Sequence, residues 1–301
     1  MTASNPAIYT EPQIAMTLAA LAYAPYGDIS GYLSNPSFAT NGEWYLAWGP
    51  GETSGNQMFV AKRGDYNQYA ISIRGTVPQL GLALLVDLYE DLDVGHPKPW
   101  IYPVTPGALV AGGTLDGLND LSGMTSGRLS LLDYLNPRVT PDCEIIVTGH
   151  SLGGALATVL APWLKYELSQ AGKSPEIKVY TYAAPTAGNQ AFADMYNNMF
   201  SQSFRYYNDI DVIPKAWAGL SGIKDLYPAP GPACPREFKD TVDLVSLWLS
   251  RIDGVSYVQP NAQGNSLNGV ATSTTDFLAE VGDQHGHNTY LTLLGAPLLP
   301  F

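Results

Sequence analysis

The pattern of apolar and polar residues cuts the chain into short segments whose order differs between its two halves. In the first half, residues 12–23 (PQIAMTLAALAY) carry apolar side chains at helical spacing and predict a first helix that ends before Pro25. Residues 44–48, 57–61 and 69–73 are aromatic and β-branched runs separated by Gly and Asn clusters. They predict three strands, the first two forming a hairpin. In the second half, residues 144–148, 177–182 and 203–207 predict strands, and residues 152–170 and 190–199 predict helices between them. Strand alternating with helix predicts an α/β fold: a mostly parallel central sheet with helices on both faces.

The remaining stretches read as connections. Residues 96–108 hold His96 and four prolines and predict a loop, and residues 116–135 hold two short helical patterns. Residues 215–275 are rich in Pro, Gly and Ser, with one helical segment at Asp240–Leu249. A short strand-like run, Phe277–Val281, precedes a final helix. No repeat and no long low-complexity linker is visible. Residues 1–301 therefore read as one domain with loop insertions at roughly 77–108 and 215–275.

One junction carries chemistry. The apolar run Ile145-Ile146-Val147-Thr148 stops at Gly149-His150-Ser151-Leu152-Gly153, and an Ala/Leu-rich helical pattern begins at once. A Gly-x-Ser-x-Gly between strand and helix is the context of a nucleophile elbow. The sharp turn lifts the Ser151 hydroxyl out of the chain. The helix N-terminus beside it favours a developing oxyanion.

Composition narrows the partners. The 301 residues carry a net charge of −12, with 14% of residues charged, and this argues against nucleic acid and against anionic membranes bound through basic patches. The two cysteines, Cys143 and Cys234, do not fix a redox compartment, and no Cys/His spacing suits a metal. No cofactor motif is present. Glu90, Asp91 and Asp93 read as a solvated acidic face. The apolar run Ile14 to Ala24 is too short for a transmembrane span, and no basic region precedes it, so no signal peptide is read here. Secretion of a mature form from which a leader has been removed is the favoured location.

A serine nucleophile needs a base and an acid. Four histidines are available. His150 lies inside the elbow and is read as pointing away from the hydroxyl, and His96 precedes the serine. His285 and His287 fall late in the chain, where the order Ser…Asp…His expects the base. Asp209 and Asp211 follow the strand 203–207, and Pro214 turns the chain out of the sheet just after them. Both acids stand at the sheet's C-terminal edge.

These blocks resemble, in order, those of the class 3 lipase family of α/β-hydrolases. Ile73-Arg74-Gly75-Thr76 is similar to the family's oxyanion block, and Thr148–Ala157 to its elbow. Tyr182–Asn189 and Asp211-Val212-Ile213-Pro214 are similar to two further blocks. A Val-His-x-Gly-Phe string frequent in the family is replaced here by Val110-Ala111-Gly112-Gly113-Thr114. The resemblance implies an α/β-hydrolase fold with a lid-like insertion, best matched by the apolar stretch Val77–Val86. It implies Ser151 as nucleophile and Asp211, rather than Asp209, as the acid. For the base, the spacing to Tyr290-Leu291 fits His285, as in bacterial and plant relatives, better than His287, as in fungal ones. The oxyanion hole would use the N–H groups of Leu152 and Thr76, with Arg74 buttressing the loop. The implied activity is acyl transfer on lipid esters, triacylglycerol first. Phospholipase A1 and feruloyl or aryl esterase activities would use the same machinery. From a different class, a non-catalytic interaction protein would keep only the fold.

Overall fold

The continuous apolar run at 145–147 has a simple consequence: both faces of the strand that carries it are covered. In the computed structural model, which describes residues 8–53, 55–75, 88–252, 255–261, 264–272 and 275–301, this strand is β8 (Glu144–His150). Ile145 and Val147 face one apolar layer, while Ile146 faces the other. Among the described residues the main sheet runs β1 (Trp44–Glu52), β2 (Gln57–Arg63), β3 (Gln68–Ile73), β8, β9 (Glu176–Tyr182), β10 (Ser203–Asn208), β11 (Asn265–Leu267). β1, β2 and β3 pair antiparallel, and every pairing from β3 to β11 is parallel. The mostly parallel sheet and the α/β-hydrolase fold predicted from sequence are therefore present.

The helix Leu152–Gln170 packs on one face through Leu156, Leu160 and Leu164. The first helix, Glu11–Leu21, covers the other through Met16, Leu18 and Leu21. Tyr290 and Leu291, from the last helix His287–Leu294, join that second layer. A third apolar cluster lies around the loop after β10. It contains Val212, Ile213 and Trp217, with Phe277 and Val281, and Leu152 packs against it.

Three segments differ from the pattern reading. Residues 96–108 are not all loop: β4 (Lys98–Ile101) and β5 (Val104–Val110) form a separate two-stranded ribbon. A two-stranded ribbon has free edges, so it tolerates the missing N–H groups of its prolines, and the buried Trp100 anchors it on Phe192. Phe277–Val281 is the start of a helix, Phe277–His285, not a strand. Asp276 caps it by accepting the N–H groups of Leu278 and Ala279 at 3.1 and 3.0 Å. Five residues are too few to separate periods of 2 and 3.6; the stripe Phe277, Val281, Gln284, His285 becomes visible only over nine residues. The Pro/Gly-rich region 215–275 holds the edge strand β11, and its helix runs from Arg236 to Ser250, longer than the Asp240–Leu249 expected. The 116–135 patterns are the helices Gly112–Gly123 and Leu131–Leu135, joined by a small hairpin of β6 (Thr125–Ser126) and β7 (Leu129–Ser130). The proposed lid stretch Val77–Val86 lies outside the described residues. Cys143 and Cys234 are both free thiols, and burial pushes the Cys143 thiol up to about 11.

Candidate active site

β8 ends at His150 and the next helix begins at Leu152, which leaves one residue to make the turn. Ser151 makes it with φ +58° and ψ −131°, a conformation a side chain adopts only under strain, of order 1–3 kcal/mol. The surroundings hold it there. Ser151 N donates to the Tyr182 carbonyl of the neighbouring strand at 2.9 Å. Gly149 lies so close to the incoming helix that a Cβ there would stand 2.1 Å from the Gly153 carbonyl oxygen. A glycine is therefore required by the approach of strand and helix, not by its own φ.

The Ser151 hydroxyl lies 2.8 Å from His285 Nε2, and His285 Nδ1 lies 2.9 Å from Asp211 Oδ2. All three side chains are buried, with exposures of 4%, 3% and 0%. Three distant segments bring them together: the strand-to-helix turn at 151, the loop after β10, and the last turn of the helix Phe277–His285. Asp211 is heavily hydrogen-bonded. Its Oδ1 accepts the Ile213 N–H at 3.0 Å, and its Oδ2 accepts a second donor, the Tyr290 hydroxyl, at 2.8 Å. Burial and the charge of Asp211 push the Tyr290 hydroxyl well above its ordinary range, so it remains a donor.

The alternative residues lie elsewhere. Asp209 turns its Oδ1 to the Gly269 N–H at 2.8 Å. His287 Nε2 donates to the Phe301 carbonyl oxygen at 2.9 Å, so that nitrogen carries a proton, and its ring stacks on Tyr23. His96 is exposed and pairs with Asp93 at 2.6 Å. His150 is buried beneath His285, with 4.9 Å between the two ring centroids. Burial holds its basicity well below the ordinary imidazole range, and the neighbouring His285 and His287 act in the same direction. It is a neutral ring.

Two elements stand where the sequence places the oxyanion hole. Leu152 opens the helix, so its N–H has no acceptor one turn back within the helix. Thr76 lies outside the described residues, but Gly75 just before it is tightly placed. A Cβ on Gly75 would stand 2.3 Å from the Tyr23 hydroxyl and 3.1 Å from Ser151 Cβ. The Tyr23 hydroxyl accepts the Gly75 N–H and reaches His150 Nδ1 at 3.1 Å. Arg74 points away from the elbow: its guanidinium donates to Gln57 Oε1 at 2.8 Å and to the Gly55 carbonyl at 3.0 Å. It thereby ties the end of β3 to β2. Beside Leu152, a cavity of about 570 Å³ has walls bearing Asp91, Asp93, Asp116 and Asp120 as well as Arg74.

Tyr290 and Tyr23 were not legible as site residues. Tyr290 is marked in the sequence only by its spacing from His285, and Tyr23 only as the end of an apolar helix.

Comparison with known proteins follows the same lines. The sequence model of the lipase (class 3) family matches residues 70–219. The chain is 27% identical over 279 residues to the phospholipase A1 EG1 of Oryza sativa subsp. indica, covering 83% of this chain and 61% of that protein. It is 25% identical over 187 residues to the secreted mono- and diacylglycerol lipase 1 of Fusarium solani, covering 59% of this chain and 48% of that protein. The chain thus spans less than two thirds of the length of either relative. The solved structure of M37 lipase superposes with a TM-score of 0.82 at 26% identity, over 95% of this chain and 94% of that one.

Proposed function

This chain belongs to the class 3 lipase family, and on that footing we propose that it is a serine carboxylester hydrolase acting on lipid esters through an acyl-serine intermediate. The observation that carries the reading is the unbroken series of short contacts from Ser151 through His285 to Asp211.

In the proposed reaction, Ser151 Oγ attacks the ester carbonyl and its proton passes to His285 Nε2. The imidazolium so formed is oriented and stabilised by Asp211, and it returns the proton to the leaving alcohol. Water, activated by the same imidazole, then releases the acid. The oxyanion is held by the N–H of Leu152 and, in this proposal, that of Thr76. Each such donor lowers the barrier by about 3–4 kcal/mol. The neutral ring of His150 places no second positive charge under His285 when it takes the proton.

Among lipid esters, the acid-walled cavity beside Leu152 and the net charge of −12 favour neutral substrates over anionic ones. That supports triacylglycerol first. A phospholipase A1 activity is the second reading, supported by the name of the rice relative. Secretion is proposed from the fungal relatives named as secreted lipases. Among the described residues no helix is long and apolar enough to cross a membrane.

The test is hydrolysis of p-nitrophenyl esters of graded chain length, emulsified triolein and phosphatidylcholine vesicles by the wild type and Ser151→Ala. Hydrolysis of at least one ester, lost in the variant, is expected. A wild type inert on all of them, or an equally active variant, overturns the reading.

A further inference from the structure

The loop after β10 does more than present Asp211. Asn208, the last residue of β10, from which this loop springs, is fully buried and acts as a hub. Its N–H donates to the Tyr290 hydroxyl oxygen at 3.0 Å. Its side-chain amide donates to Gln284, at 3.0 Å to the backbone carbonyl and 2.7 Å to Oε1. Gln284 is held in turn: its Nε2 donates to Glu280 Oε1 at 2.7 Å and to the Val270 carbonyl at 2.9 Å. Glu280, also fully buried, accepts the Thr272 N–H at 3.0 Å. This buried network fixes the helix that carries His285 to the strand end that leads into the loop of Asp211.

The network also fixes the direction of one proton. A tyrosine hydroxyl has one hydrogen to give. Because the Asn208 N–H occupies the Tyr290 oxygen as an acceptor, the hydroxyl proton is directed at Asp211 Oδ2, 2.8 Å away. That same Oδ2 accepts the His285 Nδ1 hydrogen bond at 2.9 Å. Two donors compete for one oxygen of a fully buried carboxylate.

We propose that Tyr290 is a positioning residue of this site, whose hydroxyl shares Asp211 Oδ2 with His285 and so sets both the orientation of the carboxylate and the strength of its hold on the imidazolium. The inference rests on the ester-hydrolase reading. Drawing part of the carboxylate's charge to Tyr290 leaves less for His285, which keeps the imidazole neutral, and ready to accept the serine proton, to lower pH. Among the described residues, the other titratable groups around this pair are His150 from the elbow, which His287 of the last helix backs from behind, Tyr227 towards Asp211 and Arg205 towards Tyr290. All of them are unchanged in the experiment that follows.

The test is Tyr290→Phe, with 3-fluorotyrosine at 290 as a second form that keeps the ring and is a stronger donor. For Tyr290→Phe, kcat on a soluble p-nitrophenyl ester falls about tenfold, the scale of one hydrogen bond to a charged group, with KM little changed. The acid limb of its kcat/KM profile moves up by about half a pH unit. The limb moves down in the fluorotyrosine enzyme. In NMR the His285 Nδ1 proton signal moves downfield in Tyr290→Phe, because Asp211 binds it more strongly, and upfield in the fluorotyrosine form. A folded Tyr290→Phe enzyme whose acid limb and Nδ1 signal are both unmoved overturns the proposal, even if kcat falls. If Tyr290→Phe does not fold, the fluorotyrosine form decides by the same two readouts. A wild type that hydrolyses no ester refutes the hydrolase reading instead, and the Nδ1 signal still decides the role of Tyr290.

Discussion

Ser151 Oγ and His285 Nε2 stand 2.8 Å apart, although 134 positions separate the two residues. His287, two positions further on, faces the other way and meets the Phe301 carbonyl and the Tyr23 ring. The break between the helices Phe277–His285 and His287–Leu294, at Gly286, is what turns the two imidazoles apart. His285→Ala is therefore expected to lower kcat by about 10⁴-fold or more. His287→Ala is expected to keep kcat within a few-fold. It loses a hydrogen bond and a ring contact, together about 1–2 kcal/mol of stability. Ester kinetics and thermal melts on the two variants check this, and equal kinetic losses refute it.

Asp211→Asn tests the acid through its donors. Two of them, Tyr290 and His285, point at Oδ2, and a third, the Ile213 N–H, points at Oδ1. An amide NH₂ has no orientation that avoids facing at least one donor, so no flip restores the pattern. The wrong imidazole tautomer costs about 10⁴-fold in kcat, and the orphaned donors about 1–3 kcal/mol in stability. Measured kcat and denaturation free energy must fall together. A variant as stable as wild type sinks the donor argument.

Gly149→Ala asks for space that is not there, since the added Cβ would lie 2.1 Å from backbone, which cannot rotate away. A loss of about 3 kcal/mol or more is expected, or no soluble protein. Gly27→Ala is the control, because no atom lies within 4 Å of its Cβ position. Matching melting temperatures for the two variants exclude the explanation.

What the residue pattern reveals follows from how local the cause is. The elbow is local: apolar strand, Gly-x-Ser-x-Gly and helix lie within 20 or so consecutive positions, and each block reads by itself. The parallel sheet follows from strand–helix alternation between 144 and 207, which is equally local. The helix Phe277–His285 was hidden because its first five residues fit two periods, and the cap that decides between them, Asp276, lies outside that window. The β4–β5 ribbon was hidden by its prolines, because its support comes from Phe192, far along the chain. Tyr290 at Asp211 and Tyr23 at Gly75 depend on contacts between elements distant in sequence, which no spacing rule encodes.

The buried imidazoles make stability depend on pH, with a definite sign. Burial lowers the basicity of His150 well below its ordinary range, and that of His287 less strongly. In the unfolded chain both rings take up protons as pH falls through about 6.5, while in the folded chain they resist. The unfolded state then binds more protons, so stability is fully present above that pH and declines below it, by up to about 1.4 kcal/mol per pH unit for each ring. The net charge of −12 works the other way, since acid relieves its self-repulsion. The contribution of one ring is therefore isolated by comparison: denaturation free energies of wild type and His150→Gln at pH 8, 6 and 5. The wild type is expected to lose more stability than the variant between pH 6 and 5, because only its ring must charge on unfolding. Parallel losses in the two proteins contradict a neutral, buried His150.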